Sequence, residues 1–202
     1  MMLLWLCSFE GMSQGERSIN LVKSDSPVMI DGILDDPVWK TAEFQGAFYQ
    51  NYPMDTSASV SQTEVAVAFD SEYIYIAAIM HDELDGDYVI QSLKRDYSYP
   101  ISDAFAIFLD PLNDQLNGFS FSVNPAGAQR EGLVQEGGNM GVTTAWDNKW
   151  FSAVTTGPNK WIAEMAIPYK SIRYKSDQMV WGINFSRNDL KRIENSSWSR
   201  VP

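Results

Sequence analysis

The stretch Thr63-Glu64-Val65-Ala66-Val67-Ala68-Phe69-Asp70-Ser71-Glu72-Tyr73-Ile74-Tyr75-Ile76-Ala77-Ala78-Ile79-Met80 decides the fold class. From Thr63 to Phe69 the chain alternates, with Val65, Val67 and Phe69 on one face, the period of a strand with one buried side. Tyr73 to Met80 is apolar on both faces, as a strand in the middle of a packed sheet is. Asp70-Ser71-Glu72 between them has the polar character of a tight hairpin turn.

Outward from this hairpin the same signals repeat. Strands are expected over Ala104 to Leu109, Gly118 to Asn124, Gly132 to Gln135, Phe151 to Thr155, Trp161 to Ile167 and Val180 to Arg187. Turn chemistry separates them: Asp110-Pro111, Asn117-Gly118, Asn124-Pro125 and Gly157-Pro158-Asn159. Helical periodicity is nearly absent. Asp35-Asp36-Pro37 opens one short turn that buries Val38, Trp39 and Ala42, and Pro168 opens a second with Ile172 facing in. The expected fold is therefore all-β, an antiparallel β-sandwich of the immunoglobulin or jelly-roll kind with one or two short helical turns. Val67, Ile76, Ile107, Val123 and Trp181 are its expected core residues.

A chain of 202 residues suits one domain and can bury a core without disulfides. Its formal charge of −11 argues against nucleic acid and against an anionic membrane surface, both of which need clustered Lys and Arg. The 7 Trp, 9 Tyr and 10 Phe suit β cores, and flat rings are also what stacks on sugar faces. Cys7 is the single cysteine, so no internal disulfide forms. Met1 to Cys7 is a short apolar run, and Ser13-Gln14-Gly15 offers a small-x-small cleavage pattern, although no basic residue precedes Arg17. Residues 1–15 are read as a signal-peptide remnant and residues 16–202 as the domain. No later stretch approaches the about 20 apolar residues of a membrane helix.

The segment Ile30-Asp31-Gly32-Ile33-Leu34-Asp35-Asp36-Pro37-Val38-Trp39, followed by Ala42, resembles the opening signature of family 9 carbohydrate-binding modules. Further segments follow in the expected order: Tyr73-Ile74-Tyr75-Ile76 before His81-Asp82, Asp103 before Phe108-Leu109-Asp110, and Phe121-Ser122-Val123-Asn124-Pro125-Ala126-Gly127. Trp161-Ile162-Ala163-Glu164 then leads to Ile167-Pro168, and Trp181-Gly182-Ile183-Asn184-Phe185 to Arg187. Arg95-Asp96, Trp146-Asp147 with Trp150, Ile172-Arg173, and Glu194 with Trp198 are similar to the family 9-like domain that begins a group of bacterial envelope proteins. There it precedes a β-rich region resembling an outer-membrane barrel, so the ending at Pro202 reads as a truncation. That group's acidic residue after Asn-Pro-x-Gly-x-Gln is here Arg130, which weakens a metal role at that position.

The resemblance implies an exported, non-catalytic carbohydrate-binding domain at the cell envelope, linked to carbohydrate catabolism. The alternative is a structural or interaction domain of an outer-membrane barrel protein whose sugar site has decayed. Family 9 modules hold a sugar between two aromatic rings, and by position these are Tyr99 and Trp198, with Arg95, Asp96 and Asp103 near enough to bond hydroxyls. Trp198 reads equally as packing that pins the tail. Trp146 and Trp150, in a Gly-, Asp- and Asn-rich segment, are the second pair of candidate rings. The family also carries structural calcium. The loop of Asp82, Asp85 and Asp87 offers oxygen ligands, although solvated acidic loops are commoner and the interleaved EF-hand pattern is absent.

Catalysis finds little support in the residues. His81 is the single histidine, no serine sits in a Gly-x-Ser-x-Gly elbow, and 26 acids make carboxylate pairs easy to invent. A haem site is disfavoured because Met80 and His81 are adjacent in a strand and point to opposite faces.

Overall fold

The computed structural model describes residues 17–135, 141–175, 177–178 and 180–200. The expected leader and Cys7 lie outside them. The fold is mostly β, two packed sheets with few helical turns. The five-stranded sheet runs β1 (Val22–Lys23), β3 (Thr63–Phe69), β4 (Tyr73–His81), β10 (Lys160–Pro168) and β9 (Phe151–Thr156) in that order. The seven-stranded sheet runs β2 (Tyr49–Tyr52), β12 (Glu194–Ser197), β11 (Gly182–Asp189), β5 (Ala104–Asp110), β6 (Gly118–Val123), β7 (Gln129–Val134) and β8 (Val142–Thr143). Neighbouring strands are antiparallel except β1 and β3.

The inner faces of the two sheets meet over Val65, Val67, Ile76, Met80, Trp161 and Met165 from one and Phe105, Ile107, Phe121, Val123, Phe185 and Trp198 from the other. Four of the five expected core residues, Val67, Ile76, Ile107 and Val123, are at most 1% exposed. The exception is Trp181. It lies one residue before β11 and is half-buried against Tyr169 and Tyr174 instead of inside the sandwich.

A second, smaller core explains why Tyr73 to Met80 is apolar on both faces. Ala66, Ala68, Tyr75, Ala77 and Ala166 cover the outer side of the five-stranded sheet, where they pack against Val28, Val38 and Trp39. Val38 and Trp39 belong to α1 (Pro37–Thr41), the short helix expected from Asp35-Asp36-Pro37. Pro168 opens a 3-10 turn over Tyr169–Ser171 as expected, and a further turn lies over Tyr99–Ile101, with Pro100 in its opening positions.

Strand boundaries shift by more than one residue at two places. The Gly132 to Gln135 strand begins earlier, at Gln129, and the Val180 to Arg187 strand lies over Gly182–Asp189. The most instructive difference is β12, whose Glu-Asn-Ser-Ser reads as a polar loop. It is a strand because Glu194 is buried and receives N–H groups from Val60 and Ser61 and the Gln50 amide, which supplies the satisfaction a buried carboxylate needs.

Candidate functional site

The outer face of the five-stranded sheet is covered, whereas much of the outer face of the seven-stranded sheet is open. Side chains alternate across a strand, so each strand that sends Phe or Ile inward sends another residue outward. Those outward residues stand in cross-strand rows. Ser197, Ser186, Ala106, Ser122 and Arg130 are successive partners across β12, β11, β5, β6 and β7. The next row holds Asn184, Phe108, Ser120 and Gly132. A third places Gly182 beside Asp110, Gly118 beside Val134, and Val134 beside Val142. Small residues dominate these rows, so the sheet face sinks into a groove of about 640 Å³. That volume lies within the range typical of small-molecule sites, about 300–1,000 Å³.

One end of the groove is walled by Tyr99 and Pro100, with Tyr97 buried behind them. The Tyr97 hydroxyl pairs with Ser122, Tyr99 donates to Ser186 Oγ at 3.0 Å, and Asn188 Nδ2 holds the Tyr99 carbonyl at 3.1 Å. Burial pushes the Tyr99 phenol up to about 12, against the opposing pull of its Ser186 bond and of the Arg130 charge. The opposite end is the β5–β6 connection, with Gln115, Leu116 and Asn117 on the groove. One flank is an amide network: Asn51 Nδ2 donates to Asn195 Oδ1 at 2.8 Å, and Ser197 Oγ donates to Asn51 Oδ1 at 3.0 Å. Phe108 is the half-buried ring in the middle of the floor. The arrangement offers an apolar ring face ringed by preset hydrogen-bonding groups.

The residues expected to form the site are placed as follows. Tyr99 lines the groove, but Trp198 does not face it. Trp198 is 1% exposed, packs edge-on to Phe185 with ring centroids 5.8 Å apart, and lies under the Arg17 guanidinium. Its neighbour Ser197 takes the outward position, so strand alternation sends the indole into the core. The expected ring sandwich of Tyr99 and Trp198 is therefore corrected to a packing role for Trp198.

Asp103 is also structural. It is 3% exposed and accepts the N–H groups of Val89 at 2.7 Å and Leu190 at 2.6 Å. Burial raises its carboxyl in spite of these bonds. Arg95 is engaged by Glu131, by Asp147 at 2.9 Å and by the Asn148 carbonyl at 2.8 Å. Asp96 is exposed in a left-handed turn at φ 60° and belongs to no groove wall. Trp150 is buried and donates to Glu131 Oε2 at 3.1 Å, and Trp146 is half-buried against Phe119 and Phe121. These two rings pack against the core and are no exposed platform.

The metal expectation meets a different occupant. Lys191 Nζ lies 2.6 Å from Asp82 Oδ2, 2.6 Å from the Gly86 carbonyl and 3.2 Å from the Leu84 carbonyl. A tethered ammonium thus takes the oxygens that the loop would have offered to calcium. Asp85 and Asp87 are exposed, and among the described residues no three acidic, histidine or cysteine side chains converge into a metal cluster.

The groove residues were missed in the sequence because they form no contiguous motif. Seven strands contribute between one and four each, and Ala, Ser and Gly between large apolar residues read as a solvated face. The available signal was the smallness of the alternate positions in Ala104-Phe105-Ala106-Ile107 and Ser120-Phe121-Ser122-Val123.

The model of one protein family, described as carbohydrate family 9 binding domain-like, matches residues 30–201. Solved structures share the fold at low identity. A family 9 carbohydrate binding module from Caldicellulosiruptor kristjanssonii, in complex with cellotriose, superposes with TM-score 0.58 at 18% identity, over 89% of this chain and 82% of that one. The module from the same organism in complex with glucose gives 0.60 at 16% identity, over 89% and 84%. A Bacteroides uniformis ATCC 8492 chain gives 0.64 at 16% identity, over 90% and 88%. No curated protein matches the chain by sequence.

Proposed function

The chain belongs to the carbohydrate family 9 binding domain-like family, and on that premise we propose that it binds a carbohydrate without acting on it, in the groove across the seven-stranded sheet. The observation that carries this reading is the groove itself: about 640 Å³ with Phe108 on its floor and amides along one flank. Pyranose C–H faces pack on such a ring, and hydroxyls exchange hydrogen bonds with fixed amide and hydroxyl groups. The module solved with cellotriose and glucose supports the class of ligand. The site differs from a ring sandwich in that one aromatic floor and a tyrosine wall do the stacking.

The domain further belongs, on this reading, to an exported envelope protein that takes part in carbohydrate catabolism and continues into an outer-membrane barrel. The apolar run Met1 to Cys7 and the envelope-type residues Arg95-Asp96 and Trp146-Asp147 support that setting. Cell fractionation of the native protein tests it, with recovery in the cytosolic fraction counting against it.

A second reading, an interaction domain with a decayed sugar site, is favoured by the burial of Trp198, which removes one of the two expected rings. Calorimetric titration with a panel of neutral and acidic oligosaccharides separates the two. Binding that is lost in Phe108→Ala and in Asn51→Ala, with both variants still folded, supports the groove. An intact fold that takes up no glycan of either class supports the interaction domain.

A further inference from the structure

The charge of the groove is opposite to that of the protein. The chain carries 26 Asp and Glu against 15 Lys and Arg. Yet the groove lining contains two arginines, Arg130 and Arg200, and a single carboxylate, Asp110. Asp110 is already engaged, with one oxygen accepting the Leu112 N–H at 3.2 Å and the other the Gln115 N–H at 2.8 Å.

Arg130 differs from Arg95 and Arg187, which ion pairs tie into the fold. Arg95 is tied to Glu131 and Asp147, and Arg187 to Asp189 and the Gln62 carbonyl. Among the described residues Arg130 has neither a carboxylate within ion-pair distance nor a side-chain hydrogen bond. It stands at the end of the row of small residues Ser186, Ala106 and Ser122, half-buried on β7, and its charge reaches the phenols of both Tyr97 and Tyr99. From β11 to β7 is three strand spacings, about 14 Å, of nearly flat floor ending on a guanidinium fork. A half-buried guanidinium without a counter-charge is costly, and its planar donors match an anionic oxygen pair in bidentate geometry.

We infer that the ligand is an anionic glycan, a sugar carrying a carboxylate or an ester anion that pairs with Arg130 at the tyrosine-walled end while its ring lies toward Phe108. Arg200, on the opposite flank over the Tyr49 ring at 4.8 Å, adds positive potential at the β2 edge. This inference rests on the groove being the sugar site. Its failure is separable from failure of that reading, because a neutral glycan could still bind there.

The test is calorimetric titration of the full chain with a neutral gluco-oligosaccharide, an oligogalacturonate and a sulfated oligosaccharide of equal length, at low and at high salt. The expected result is that an anionic oligosaccharide binds at least about tenfold more tightly than the neutral one at low salt. That advantage shrinks as salt rises. In Arg130→Gln the preference collapses toward one, while the melting temperature does not fall, because among the described residues the Arg130 side chain makes no hydrogen bond or ion pair whose loss would cost stability. Whether the uronate or the sulfated sugar carries the advantage names the anionic group. Equal binding of neutral and anionic sugars, or a preference that survives in Arg130→Gln, overturns the inference and leaves the groove reading standing. Absence of binding by all three overturns both.

Discussion

Trp39 donates its indole N–H to Glu164 Oε1 at 2.7 Å, across 125 residues of chain. The other carboxylate oxygen accepts the backbone N–H groups of Asp31 at 3.0 Å and Gly32 at 3.1 Å. The opening signature is thus a cradle for one fully buried acid on the outer face of the five-stranded sheet. Trp39→Phe keeps the ring and removes the donor, leaving a buried oxygen unpartnered. It should cost about 1–3 kcal/mol, read as a lower denaturant midpoint with unchanged slope. A variant as stable as wild type would show that the bond contributes nothing.

Gly32 meets two demands at once. Its φ is +81°, and an added Cβ would stand 2.8 Å from Thr155 Oγ1 and 3.1 Å from the Val154 carbonyl carbon. Gly127 has a similar φ of +78° with open space around it. Gly32→Ala should therefore destabilise clearly more than Gly127→Ala, whose cost is the left-handed backbone alone, about 1 kcal/mol. Paired thermal melts decide this, and equal losses would deny the steric part.

Trp198→Ala should cost about 3–5 kcal/mol of stability, because it empties a core position. The readout is the melt and not a change in ligand affinity at unchanged stability. A variant that melts near wild type would return Trp198 to the list of surface rings.

The Lys191 ammonium lies on the Asp82 carboxylate and on the Leu84 and Gly86 carbonyls, the oxygens a calcium ion in that loop would need. Thermal melts of the wild type with calcium and with a chelator should coincide. Lys191→Met should lower stability, since it leaves the buried Asp82 carboxylate without its partner, by about 3–5 kcal/mol. A wild-type melt that moves by several degrees on chelation would place a metal in this protein after all.

Glu164 also sets a pH dependence. Burial raises its carboxyl above the ordinary value, in spite of the bonds from Trp39, Gly32 and Asp31. The folded state then binds the proton more tightly than the unfolded chain. Its contribution to stability therefore grows as pH falls through the folded value and is lost as pH rises through it. Asp70 runs the other way: against a desolvation that raises it, bonds from Tyr75, Glu72 and Tyr73 hold it low, so a variant comparison is needed. The stability gap, wild type minus Glu164→Gln, should grow in denaturant titrations as pH falls from neutral toward the ordinary carboxylate range. A constant or narrowing gap contradicts the assignment.

The sandwich was legible in the sequence because its information is periodic. Val65, Val67 and the apolar run Tyr73 to Met80 announce buried faces by alternation alone, and the turns follow from Asp, Asn, Gly and Pro. What periodicity cannot show is which polar residue goes inside. Glu131, Glu164 and Glu194 are each at most 3% exposed, and each is inside because donors remote in sequence converge on it. Trp198 stayed open between platform and packing for the complementary reason. Its polar neighbours Ser196, Ser197 and Ser199 suggest a loop, whereas pairing of Ser197 with Ser186 makes the segment a strand and its aromatic inward. The groove was illegible because its members are spread over seven strands that meet only in the folded sheet.

The two faces of the seven-stranded sheet also separate two kinds of inheritance. In Phe105-Ala106-Ile107-Phe108 and Phe119-Ser120-Phe121, one set of alternate residues builds the core, and the interleaved Ala106, Phe108 and Ser120 face the groove. Many single substitutions can therefore revise recognition while the core retains its packing, and a lineage can exchange one glycan for another by small steps. The same interleaving lets the recognition surface drift once selection on it lapses. Family membership and a well-packed fold would then outlive the affinity that first shaped them.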